Sequence, residues 1–264
     1  MGTWDNYQAK MEANGLTRRD HYLKNEKRLI RRKMQHSLSF HHVLVEGVEQ
    51  DVVITNITGD MASKNIMALP CESLKHGGIV DFADSKWLIT ELDANDEVYS
   101  RGIMRRCNYV LKWIDADGNL IEKWCVVEDG TKYLIGEKTE DIMAVGDARI
   151  AITIGKDSDT VKLKRGRRFL VDDMDSKESV LAYQITKPNK LFNLYNGDGV
   201  FRFILNEVEL TDNDNIELRI ADYYNWQPYK KLDNEHVDTD ITVEEIVENA
   251  KNQPEPSDDK EVWL

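Results

Sequence analysis

The chain has no run approaching eighteen consecutive apolar residues, only three cysteines, and five prolines among 264 residues. The first absence excludes a transmembrane helix. Three scattered cysteines, Cys71, Cys107 and Cys125, are too few and of the wrong parity for a disulfide framework. Their spacings of thirty-six and eighteen residues match no zinc template, so they read as buried small hydrophobes in a reducing compartment. The start, Met1-Gly2-Thr3-Trp4-Asp5, lacks the basic-then-apolar pattern of a secretory signal, and a soluble, cytoplasmically made protein is expected.

Signatures of catalysis are missing too. The sequence contains no G-x-S-x-G elbow, P-loop, G-x-G-x-x-G after a strand, or H-E-x-x-H. His36, His41 and His42 cluster, but adjacent strand residues face opposite sides, so His41 and His42 do not share a metal. Asp115-Ala116-Asp117-Gly118 begins like a calcium loop but lacks the later glycine and the terminal glutamate, which leaves it as a turn. The remaining carboxylates fall mainly in turns, where Asp closes local hydrogen bonds. The expectation is a non-enzymatic protein with no catalytic residue, no cofactor and no metal.

What the chain does have is charge, unevenly spread. Its formal total is −13. Residues 1–36 carry nine Lys/Arg against four Asp/Glu, and residues 223–264 carry four against eleven. The intervening residues 37–222 stand at −11. A basic arm, an acidic body and an acidic tail point to end-to-body or subunit-to-subunit electrostatics.

The arm reads as two helical pieces broken at Asn14-Gly15, with Thr17 and Asp20 as N-cap and acidic N3 partner of the second. Leu16, Leu23, Ile30 and Met34 form one narrow apolar stripe, and Arg18, Arg19, Lys24, Lys27, Arg28, Arg31, Arg32 and Lys33 cover much of the remainder. Such a helix does not hold itself folded in water and must dock on its own body, a neighbouring subunit or a polyanion.

From residue 38 the period becomes strand-like. Phe40–Glu46 and Asp51–Ile57 form a hairpin, Thr58–Lys75 reads as a loop, and a second hairpin turns at Ala83-Asp84-Ser85. A longer hairpin, Ile103–Ile114 and Leu120–Glu128, turns at Asp115–Asn119, and another short strand covers Lys132–Ile135. The connection Glu137–Ala144 is the expected internal boundary. Beyond it come strands at Arg149–Ile154, Thr160–Leu163, Arg168–Val171, Val180–Thr186, Val200–Val208 and Ile216–Ala221, with Pro188 ending the fourth. Past Tyr224 the chain turns acidic, with one helix from Thr242 to about Lys251 and an apolar end at Val262-Trp263-Leu264. The fold class is mainly β. A basic helical arm (1–37) precedes a small barrel or sandwich (38–144), a second β-rich region (145–224) and an acidic tail (225–264).

Arg105, Arg106, Arg167 and Arg168 make two further basic clusters. With the arm they define the alternative of another class, an OB-like nucleic-acid-binding module that contacts phosphate. The acidic body argues against a grip on DNA.

The stretch Gly78-Ile79-Val80-Asp81-Phe82-Ala83-Asp84-Ser85-Lys86-Trp87-Leu88-Ile89-Thr90-Glu91 resembles the core hairpin of small β-barrel head-closure (stopper) and neck proteins of tailed bacteriophages. Gly102–Trp113 and Val127–Leu134 are similar to segments of such virion proteins, and the likeness continues more loosely through Arg168–Asp173 and Gly199–Phe203. It covers roughly residues 38–136. The basic arm, second β region and acidic tail depart from the short head-closure proteins. The resemblance implies a virion location and a homo-oligomeric ring between portal or adaptor and tail proteins. Packaged DNA would pass through it without sequence-specific binding, and no membrane would be involved. A tail or baseplate protein is the structural alternative. For inter-subunit contact the candidates are Leu16, Leu23, Arg28, Ile30, Arg31, Arg32, Met34 and Trp263.

Overall fold

The computed structural model describes residues 2, 4, 6–9, 17–93, 96–129, 149–171, 180–191, 193–195 and 197–225. The chain forms two compact units, Met1–Asp222 and Tyr223–Leu264. Of the second unit the described part is one 3₁₀ turn, Tyr223–Asn225, with the two tyrosine rings edge to face. The Asn14-Gly15 break, the strand at Lys132–Ile135, the Glu137–Ala144 boundary, the helix from Thr242 and the apolar end lie outside the described residues.

The first unit is mainly β, as its alternating pattern requires. Six antiparallel strands, β1 (Phe40–Val45), β2 (Val48–Ile57), β3 (Asp60–Ala68), β4 (Ile79–Phe82), β5 (Ser85–Asp93) and β6 (Arg101–Arg106), close into a barrel of order β1-β2-β3-β6-β5-β4. Closure is a backbone pairing of β1 with β4 at Leu44↔Asp81 and Val45↔Val80. Every second residue points inward. Val43, Val45, Val52, Ile54, Ile66, Ala68, Val80, Trp87, Ile89 and Met104 fill the interior. Two tight turns set the register. Glu46-Gly47 and Ala83-Asp84 have positive φ at both central positions, the conformation whose twist matches a hairpin.

The expected loop at Thr58–Lys75 is corrected by β3, which is paired on both sides, with β2 and with β6. Its sequence, Asp-Met-Ala-Ser-Lys-Asn-Ile-Met-Ala, has one β-branched residue, so propensity is silent. The two ladders and the inward-facing Ile66 and Ala68 decide.

The second sheet uses β7 (Tyr109–Ile114), β8 (Leu120–Asp129), β9 (Arg149–Gly155), β10 (Arg168–Val171), β11 (Leu181–Asn189), β12 (Leu194–Tyr195) and β13 (Asp198–Val208). Its order is β10-β11-β13-β9-β8-β7, with β12 on the end of β13. The stretch Ile103–Ile114, expected as one strand, is two. β6 belongs to the barrel and β7 to this sheet. The chain changes sheet at Cys107-Asn108, where Cys107 N–H donates to Lys86 O (2.8 Å) and the Asn108 amide brackets Val127, both bonds 2.8 Å. The hairpin Tyr109–Asp129 therefore pairs with β9 rather than within the first β region.

One face of this sheet folds over its own core of Leu111, Trp113, Ile152, Ile154, Phe169, Phe201, Phe203 and Leu205. The curl brings the two edge strands together. The Tyr109 hydroxyl donates to Leu170 O (3.2 Å), Arg167 donates to Ile114 O (2.6 Å), and Trp113 meets Phe169 edge to face at 6.0 Å.

Three expectations in this region are corrected. Thr160–Lys162 is a 3₁₀ turn, because Asp157 accepts from Asp159 N and Thr160 N and coils the backbone. Ile216–Ala221 is a run of turns held by one bridge, Asn215↔Ile220, with Arg219 at positive φ. Pro188 lies inside β11, opposite Phe203. It is tolerated because β10 pairs only with residues 181–184, so β11 is a free edge at Pro188 and no second ladder needs its N–H.

Barrel and sheet meet within the first unit through Ile79, Leu88, Cys107, Val126 and Val200. Backbone approach is close where Gly77, Gly155 and Gly199 converge. A Cβ on Gly155 would stand 2.2 Å from Gly77 O, and Gly77 itself has φ +83°.

Candidate interaction surface

Helix α1 (Arg18–Gln35) opens with a complete capping box. Asp20 N–H donates to the Thr17 hydroxyl (3.2 Å), and Thr17 N–H donates to the Asp20 carboxylate (3.0 Å). The Thr17 hydroxyl and backbone bonds hold the Asp20 carboxyl below its ordinary value. The expected N-terminus is thus correct to the residue.

The end of the apolar stripe at Ile30 and Met34 finds its partner in the same chain. Met34 is buried against Val53 and Leu69, and Ile30, Phe40, Met67 and Tyr99 pack around them. Leu23 is half-buried about two turns before Ile30. Two ion pairs tie the helix to barrel loops, Arg19 to Glu97 at 2.8 Å and Arg31 to Glu72 at 3.9 Å. Of the contact candidates, then, Ile30 and Met34 serve intrachain packing. Arg28, Arg31 and Arg32 are exposed, and Leu16 and Trp263 lie outside the described residues.

What α1 shows to solvent is positive charge. Within Arg18–Gln35 there are eight Lys/Arg and two carboxylates, Asp20 in its capping box and Glu26 on a flank. At 100° per residue, Arg18, Lys24, Arg28 and Arg32 fall in a sector of about 120° turned away from the Met34 contact, and no carboxylate shares it. Among the described residues no carboxylate lies within salt-bridge distance of Arg28 or Arg32. The signal for this face was the density of basic residues. The pattern did not show which side would be covered.

The four arginines of the phosphate-binding alternative do not form one patch. Arg105 pairs with Glu128, which Arg202 also approaches at 3.3 Å. Arg167 is committed to Ile114 O, and burial lowers its pKa. Arg168 is held by Asp214 at 2.8 Å, Asp222 at 2.9 Å, the Thr211 hydroxyl and Glu209 O. Only Arg106 of the four is exposed, in a cleft of about 760 Å³ with Lys86, Asn108 and Trp124. Sequence reasoning missed the Arg168–Asp214–Asp222 network, because its carboxylates sit more than forty residues downstream in turns. Burial pushes the Asp214 carboxyl up, but the N–H groups of Asp222 and Thr211 and the Arg168 guanidinium hold it below the ordinary value.

The remaining candidates are placed as follows. Cys107 and Cys125 are buried, and burial pushes the Cys107 thiol up to about 12. Cys71 is exposed, which corrects its expected burial. It sits in a turn at φ +77°. His41 packs on Phe82 near the barrel end, and His42 faces outward to Asp51. Asp115 accepts from Asp117 N and Asn119 N, both 2.9 Å, and so closes its own turn. Among the described residues no three His, Cys, Asp or Glu side chains converge as a metal site. No helix among them is long and apolar enough to cross a membrane.

The described residues thus form a helix-braced, six-stranded barrel joined to a curled sheet, with basic side chains on the outer face of the helix. Residues 7–106 match the family model described as the YomX N-terminal domain, a phage-associated family, and this similarity links the chain to phage proteins. The match ends at Arg106, the last residue of β6, so it takes in α1 and the whole barrel and stops before the second sheet. No curated protein and no solved structure matches the chain significantly.

Proposed function

We propose that the chain is a non-enzymatic structural protein of a tailed-bacteriophage virion. In this reading it forms part of the neck or head-tail connector as a head-closure ring through which DNA passes. The observation that carries the reading is the coincidence of a phage-associated domain with one structural module, helix plus closed barrel. A barrel has no free sheet edge, so it meets neighbours through loops and attached arms rather than by strand addition, which suits a subunit of a closed ring. The second sheet and the tail are then interaction surface toward portal, adaptor or tail proteins. Negative-stain imaging of the purified full chain, alone and with its virion partners, tests the proposal. Rings of one defined order support it. A strictly monomeric chain under both conditions overturns it, and incorporation only at the distal end of isolated tails moves the protein to the tail or baseplate.

A further inference from the structure

Packing among the described residues leaves Arg28 and Arg32, on the basic face of α1, exposed. Lys24, Arg28 and Arg32 follow at four-residue intervals, with Arg18 in the same sector, along about 21 Å of helix. An Arg-rich face of this kind takes carboxylates or phosphates. The chain itself carries a matching sequence. Residues 232–248 hold seven Asp/Glu and no Lys or Arg, and no other run free of basic residues is as acidic.

We infer that the basic face of α1 docks the acidic segment 232–248 of a second copy of this chain. The inference deepens the ring reading by naming the contact that links subunits. Charge complementarity favours this occupant over a nucleic acid. A duplex carries one charge per about 1.7 Å and runs far past a 21 Å footprint, which brings its phosphates against a body of net −11. The segment instead gathers seven carboxylates within seventeen residues and is bounded by Lys230, Lys231 and Lys251. Because the contact is ionic and exposed, it weakens with salt and sets register as well as affinity.

The test uses the full chain and sedimentation velocity over a range of concentration and salt. Arg28→Glu with Arg32→Glu raises the concentration at half-assembly about tenfold or more, while circular dichroism stays unchanged, because neither side chain has a packing role. Glu244→Lys, Glu245→Lys and Glu248→Lys together do the same. Combining both sets in one chain restores assembly, since the charges are exchanged rather than removed. Wild-type assembly of the helix variant overturns the inference and leaves the ring reading standing. A chain that stays monomeric alone and with virion partners removes both. If a 20-base-pair duplex binds the wild type, fails to bind the helix variant, and the segment variant assembles normally, the face is a phosphate site and the inference is overturned.

Discussion

In the barrel, the last two edges are joined by backbone, β1 to β4, with Glu46 N–H on Ile79 O and the Glu46 carboxylate on Ile79 N–H. In the second sheet the two edge strands approach but do not pair. Tyr109, Arg167 and the Trp113–Phe169 contact span the gap, and Arg168 on the same edge strand anchors the turns that follow β13. The closing ladder is short, but it uses backbone groups that no side-chain substitution removes, whereas a seam of side chains depends on the few residues that form it. The second sheet should therefore be the part that single substitutions can open.

The largest effect is expected at Asp214. Its side chain is almost fully buried and faces an Arg168 that is 12% exposed. Asp214→Ala leaves a guanidinium without its main partner, and a loss of about 3–5 kcal/mol is expected in urea melts. The folded-state pKa of Asp214 is lowered. Its contribution is thus complete above the unfolded value of about 4 and is lost as pH falls through the still lower folded value. Wild-type stability should decline on that acid limb and Asp214→Asn should flatten it. An unchanged acid limb in the Asn variant would show that other carboxylates dominate.

A smaller effect follows at the seam itself. Tyr109→Phe removes the bond to Leu170 O and leaves a buried carbonyl wanting a donor, at a cost of about 1–2 kcal/mol. Hydrogen exchange should quicken in peptides covering Tyr109–Ile114 and Arg168–Val171, with the barrel peptides unchanged. Equal loss of protection in both halves would mean that the two regions open as one.

The same contrast explains how much was legible. Barrel hairpins were visible because Glu46-Gly47 and the Ala83-Asp84 turn sit between alternating apolar runs, and local pattern and fold agree there. The Thr17–Asp20 cap was visible for the same reason. β3 was not, since its strand state comes from neighbours on both sides rather than from its residues. Nor was the sheet switch at Cys107-Asn108, because two strands of different sheets in unbroken sequence share one period. The phosphate cluster misled because Arg105, Arg167 and Arg168 answer to carboxylates and carbonyls distant in sequence. Density of charge is readable from a sequence, but which charges are already neutralised depends on long-range packing.

The smallest effect tests the barrel, and it should be a gain. Ala83 and Asp84 occupy the left-handed region at φ 50° and 54°, where a Cβ is disfavoured. Ala83→Asn with Asp84→Gly supplies the residues this two-residue turn prefers, and a gain of about 1 kcal/mol is expected for the barrel. Where that gain appears is the informative part. Trp87 lies inside the barrel, whereas Trp113 and Trp124 lie on the second sheet. Slowed exchange in peptides covering Ile79–Asp93, with no change in the first urea transition, would mean that the seam opens before the barrel. A rise in that first transition would instead make the barrel the element whose loss unfolds the unit, and backbone closure would then confer no advantage over closure by side chains.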